Sequence, residues 1–169
     1  MIILGVDTAI RCTGYGVIKI ENVDHLEIID CGVIKNRQKD LHSECLRRIA
    51  GGIKELIKTY SPDVASIEGV FYQKNIKTAM VLSLARGAVI ATLAEHKIPI
   101  FEYSPKSAKK AVVGTGSASK EQVATMLAAI SNLNIANIPL DSTDAISLAL
   151  CHGQIATRVG GESLLPKNI

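Results

Sequence analysis

The chain has 169 residues, 47% of them hydrophobic, and a formal net charge of +3, which allows one full core but not two independent ones. Its four cysteines, Cys12, Cys31, Cys45 and Cys151, lie far apart and its four histidines form no zinc pattern, so neither a disulfide framework nor a thiolate metal centre organises it. No basic leader precedes the first apolar run and no stretch of about twenty uncharged apolar residues follows, so the expectation is a cytoplasmic protein with no membrane association.

Residues 2–6, Ile-Ile-Leu-Gly-Val, form a near-continuous apolar run of the kind buried on both faces of a sheet. The run ends in Asp7, a carboxylate that is costly to desolvate unless a metal, a donor or a cation meets it. The alternative is a turn residue that only holds backbone amides. Residues 11–20 alternate well enough for a second strand after a tight turn, with Gly14 and Gly16 where the backbone passes close. Residues 25–34 read as a third strand across a polar turn, so the chain opens as an antiparallel meander. Asp40 is predicted to cap a helix running to Tyr60, with Leu41, Cys45, Ile49, Ile53 and Leu56 along one face. Residues 64–68 make a short fourth strand that again ends in a carboxylate, Glu68. A right-handed crossover would lay this strand parallel to the first and bring Asp7 and Glu68 to neighbouring strand ends.

Residues 74–96 are predicted as a long helix, apolar around nearly its whole circumference. Such a helix needs cover on two sides, one from the sheet and one from further core or a second subunit. A fifth strand over 98–103 leads into Ser104-Pro105, which opens a short basic helix to Val113. Gly114-Thr115-Gly116-Ser117 is either a linker or a glycine loop whose amides, with Lys120, touch a phosphate backbone. Ser119 and Gln122 form a capping box for the next helix. Asp141 and Asp144 share one face of the first turn of the last helix, as a cap and a dipole partner or as a pair of ligands. Residues 157–169 read as a frayed tail.

Charge is unevenly spread: residues 71–120 carry eight bases (Lys74, Lys77, Arg86, Lys97, Lys106, Lys109, Lys110, Lys120) against two acids. That is either a solvated face or the footprint of a nucleic acid. Phe71 and Tyr72 are core aromatics on one reading and base-stacking groups on the other. Two strand-end acids together with two helix-start acids supply the all-oxygen donor set that a hard divalent cation needs.

The ordered set of motifs resembles the RuvC family, the bacterial Holliday-junction resolvases of the ribonuclease H-like superfamily. The likeness runs from residue 2 to about residue 155. It rests on Ile-Leu-Gly-Val-Asp7 with Thr13-Gly14-Tyr15-Gly16-Val17, Ile67-Glu68-Gly69-Val70-Phe71 with Lys74-Asn75, Ala85-Arg86-Gly87, the stretch from Val112 to Lys120, and Asp141-Ser142-Thr143-Asp144-Ala145. Thr8-Ala9 departs from the Pro-Gly usual after the first Asp.

The resemblance implies an α/β fold: a ribonuclease H-like five-stranded mixed sheet, an antiparallel meander then parallel strands, flanked by helices. One domain would span residues 1–157, with a flexible tail over 158–169. It implies a homodimeric endonuclease that resolves four-way (Holliday) DNA junctions by paired symmetric nicks in recombination and repair. Asp7, Glu68, Asp141 and Asp144 would hold two Mg2+ per subunit, with Mn2+ able to substitute, and Lys120 would join them in catalysis. Phe71, Lys74, Arg86, Lys109 and Lys120 would contact DNA, Phe71 as an aromatic wedge. RuvA and RuvB are the partner proteins that the family suggests. Two rival readings are a non-catalytic DNA-binding module of the same fold and an ATP-handling protein of the actin and sugar-kinase type. The latter would ordinarily repeat its phosphate-binding hairpin in a second domain, and this chain shows no repeat.

Overall fold

The computed structural model describes residues 1–22, 25–69, 75–131 and 138–169. Three strands come first, β1 (Ile2–Asp7), β2 (Cys12–Asn22) and β3 (His25–Lys35). Helix α1 (His42–Tyr60) then crosses to β4 (Val64–Glu68), and α2 (Ile76–Glu95) to β5 (Ile100–Tyr103). Helices α3 (Pro105–Val113), α4 (Lys120–Ser131) and α5 (Leu140–Ala156) complete the chain. The five strands form one sheet in the order β3-β2-β1-β4-β5. β3, β2 and β1 run antiparallel, and β4 and β5 continue the sheet parallel to β1. This is the mixed sheet expected from the sequence, with its meander first.

The pleat divides the core. Leu4, Val6, Val17, Ala65 and Ile67 face α1 and α2, where Ile49, Ile53, Val89 and Leu93 meet them. Their neighbours Ile3, Ile18, Ile20 and Val64 face the other way, against Val123, Leu127, Ile146, Ala149 and Leu150 of α4 and α5. β1 is buried on both sides, which is why its sequence is apolar without alternation. α5 is buried from Ser142 through Gly153 except at Asp144, because the sheet covers one side of it and α3 and α4 the other.

α5 lies unusually close to the sheet. A Cβ added at Gly5 would overlap the carbonyl oxygen of Ala145, and one at Gly14 the carbonyl oxygen of Asp141. The glycines of β1 and β2 therefore set the distance at which the start of α5 passes the end of β1.

Several local signals hold as read and others do not. Ser104 caps α3 with Pro105 in its first turn. Ser119 and Gln122 form both arms of their capping box, at 2.9 and 3.3 Å. Asp40, in contrast, does not cap α1. The residue before the helix is Leu41, with no side-chain cap, and the Asp40 carboxylate instead accepts the Arg37 N–H at 3.1 Å and pairs with Arg48 at 2.8 Å. Asp141 does not cap α5 either, since Pro139 stands at that position.

α2, at 20 residues, is long and apolar enough to cross a membrane by length and composition alone. Lys77 and Arg86 interrupt it, so it is not an uncharged apolar stretch. In this fold Ala85, Val89, Thr92 and Leu93 are buried, while Ile76, Met80 and Leu84 are 75%, 64% and 48% exposed. The last residues return to the sheet: the Ile100 N–H donates to Asn168 Oδ1 at 2.9 Å, and the Ile169 N–H to the Ile100 carbonyl at 3.1 Å.

Candidate active site

Asp7 closes β1 and Glu68 closes β4. The two strands are paired in parallel up to Val6 and Ile67, so the acids stand at adjacent strand ends one residue further on. Asp7 is paired across β2 with Gly14, the residue over which the first turn of α5 sits. α5 thus delivers Asp141 and Asp144 to the same edge of the sheet. Asp7 feels the charges of both, and Glu68 feels that of Asp144.

Asp7 and Glu68 lie within hydrogen-bonding reach of each other, an interaction that lowers Asp7 and raises Glu68. Burial, reinforced by the Asp7 charge, pushes Glu68 up to about 7. Burial also raises Asp7, with the Asp144 charge adding to it. These are the effects expected when carboxylates are gathered where water is scarce. Lys120 supplies a compensating charge, its ammonium 2.7 Å from Asp144 Oδ2. The hydrogen bond to Asp144 raises the lysine above its ordinary value, so it stays protonated.

Asp141 turns toward Cys12, whose thiol donates to Oδ2 at 3.3 Å. Burial and that bond push the thiol up, leaving it without nucleophilic character at neutral pH. Sequence reasoning passed over Cys12. The two-residue period of β2 places it on the same face as Gly14, and that signal was available.

The acids therefore meet in two subsets, Asp7 with Glu68 and Asp144 with Lys120, and Asp141 lies beside them. Among the described residues no three His, Cys, Asp or Glu side chains stand as a ready ligand set in this arrangement.

The basic candidates separate. Lys109 lines a pocket of about 160 Å³ with Glu68, Pro105, Ala108, Asp144 and Leu148, and its Nζ donates to the Ala118 carbonyl at 3.1 Å, bracing the loop that leads to Lys120. Arg86, expected among the DNA contacts, is not a surface group. Its side chain is 11% exposed and is held by the Glu68 carbonyl and the Glu102 carboxylate. Phe71, Tyr72 and Lys74 lie outside the described residues.

The sheet order, the position of α5 and the acids at one edge define a protein of the ribonuclease H-like class. A family model described as "Crossover junction endodeoxyribonuclease RuvC" matches residues 3–152. The chain is 43% identical over 152 residues to the RuvC crossover junction endodeoxyribonuclease of Alkaliphilus metalliredigens, covering 90% of this chain and 92% of that protein. It is 41% identical over 151 residues to that of Chlorobaculum parvum, covering 89% and 80%. Its backbone is similar to that of Thermus thermophilus RuvC in complex with a Holliday junction substrate, with a TM-score of 0.88, 27% identity and coverage of 100% and 99%. The chain belongs to the RuvC family of crossover junction endodeoxyribonucleases.

Proposed function

We propose that the chain is a structure-selective endonuclease that resolves four-way DNA junctions by paired, symmetric nicks, acting in the cytoplasm in recombination and repair. The observation that carries this reading is the convergence of Asp7, Glu68 and Asp144, from three separated parts of the chain, on one sheet edge with Lys120 beside them. That edge belongs to a chain of the RuvC family.

The donor chemistry fits a hard divalent cation. The candidate ligands are carboxylate oxygens, and burial and repulsion raise both Asp7 and Glu68 above the ordinary carboxylate range. A divalent cation would relieve that repulsion. Asp7, Glu68, Asp141 and Asp144 are the residues that would hold two Mg2+, or Mn2+ in their place. Such ions supply an activated water at neutral pH and offset charge on phosphoryl and leaving oxygens.

The chain's own groups do the rest. Asp7 sits centrally, between Glu68 and Asp144. Lys120, kept protonated by Asp144, is aimed where charge develops on the phosphate. Lys109 braces the loop behind it and, with Lys74 and Phe71, provides contacts to DNA. A four-way junction has a two-fold axis, so a homodimer presenting one site per subunit matches it. The exposed apolar side of α2 is the surface for that contact. RuvA and RuvB are the partner proteins to test for docking.

The deciding experiment is a nicking assay on a synthetic four-way junction. The expected result is paired nicks with Mg2+, none in chelator and none with Asp7→Asn. Junction binding without cleavage under every metal condition would instead identify a non-catalytic DNA-binding module.

A further inference from the structure

The Arg86 side chain is only 11% exposed and both ends of its guanidinium are already engaged within the fold. Its guanidinium spans three elements. It projects from the middle of α2, Nη1 donates to the main-chain carbonyl of Glu68 at the end of β4, and Nη2 pairs with Glu102 Oε1 on β5. Glu102 is paired with Ile67 in the β4–β5 ladder, so the two acceptors lie on neighbouring strands one residue apart.

The carbonyl it binds belongs to a special peptide. Glu68 lies one residue beyond the last β1–β4 pair, where the ladder no longer supplies a donor on that side. The other half of the same peptide unit, the Gly69 N–H, donates to the Tyr103 carbonyl at 2.9 Å. The peptide plane that follows Glu68 is thus held at both ends, by β5 through its N–H and by Arg86 through its carbonyl. Fixing that plane fixes the direction in which the Glu68 side chain leaves the strand, and Glu68 is the acid that reaches Asp7.

A planar guanidinium can serve a carbonyl and a carboxylate at once, which an ammonium on a flexible stem cannot do with the same geometry. We infer that Arg86, oriented by Glu102, is a positioning residue that holds the Glu68 carboxylate in register with Asp7, and not a DNA contact. The inference deepens the proposed nuclease function and rests on it.

The test uses the full chain with Arg86→Met, Arg86→Lys and Glu102→Gln. Three quantities are read: affinity for a four-way junction in chelator, affinity for Mn2+ alone by paramagnetic resonance titration, and the single-turnover cleavage rate at saturating junction. Supporting groups behind a metal ligand typically contribute roughly 10- to 100-fold in metal affinity or activity. Arg86→Met should therefore weaken Mn2+ binding and slow cleavage by about that range while junction affinity stays unchanged. Arg86→Lys should fall between wild type and Arg86→Met, and Glu102→Gln should shift in the same direction by less.

Weakened junction binding with a shallower salt dependence, and an unchanged rate at saturation, would make Arg86 a phosphate contact and overturn the inference. Unchanged Mn2+ affinity and rate in all three variants would overturn it equally. If Arg86→Met does not fold, Arg86→Lys and Glu102→Gln decide the matter by the same measurements. If wild type itself does not cut the junction, the proposed function fails, and the Mn2+ titration still judges the role of Arg86.

Discussion

Asp7 and Glu68 show what gathering acids does to a site before any cation is bound. Glu68 moves from an ordinary 4.5 to about 7, so between those values the folded chain binds more protons than the unfolded one and stability falls as pH rises. Asp7 acts in the same direction. His152 runs the opposite way: buried and hydrogen-bonded to the Tyr103 hydroxyl at 2.8 Å, it is lowered to about 4 from 6.5, which adds stability as pH rises through that interval. The raw melting curve mixes these effects, but the difference between wild type and Asp7→Asn isolates Asp7 and the effect of its charge on Glu68. In chelator, Asp7→Asn should gain on wild type as pH is raised from about 4.5 to about 7, then hold its lead, and with Mg2+ it should not cut the junction. Thermal melts of both proteins across that range would check this, and a variant that melts well below wild type at neutral pH would refute the crowding of these carboxylates.

At the scale of elements, the site exists because α5 can approach the sheet over glycine. Gly14→Ala would drive a methyl group into the Asp141 carbonyl, and overpacking of this kind destabilises by about 1–3 kcal/mol. Because the displaced turn carries Asp141 and Asp144, cleavage at a temperature where the variant is fully folded should fall further than stability does. Gly51→Ala is the control: nothing lies within 4 Å of the added atom, and in the helix α1 alanine should be neutral or stabilising by up to about 1 kcal/mol. Denaturant unfolding with single-turnover cleavage reads both quantities. The Thr13-Gly14-Tyr15-Gly16 motif was legible as a place of close approach, and the acids were legible because each of two apolar runs ends in one. What the sequence did not reveal was the partner in each case. The helix over Gly14 comes from more than a hundred residues away. Asp40 satisfies every local rule for a cap, yet its carboxylate goes to Arg48, two turns into α1. Arg86 reads as surface charge because one of its partners is a main-chain carbonyl, which leaves no trace in the residue pattern.

For the molecule as a whole, α2 links what faces outward to what the site requires. Ile76, Met80 and Leu84 follow one another at four-residue spacing and are exposed, while Arg86 lies two residues beyond Leu84, on roughly the opposite side of the helix, tied to Glu68. A second copy packed on the apolar side would bury a row of large side chains that a monomer leaves in water. The same helix would then brace the active-site strand from behind. The hydropathy of α2 admits a bilayer as the other occupant of that side, and one pair of substitutions separates the two. Met80→Glu with Leu84→Glu changes residues already 64% and 48% exposed in the single chain, so the subunit fold should be retained while the variant loses the stabilisation that association gives wild type. Light scattering should show wild type as a dimer and the variant as a monomer, neither protein should float with phospholipid vesicles, and the variant's nicks should fall on one strand at a time, because simultaneous cuts across a two-fold junction need two sites held at a fixed separation. A variant that remains dimeric and still cuts in pairs would place the subunit contact elsewhere, and wild type that floats with vesicles would give the exposed side of α2 to lipid.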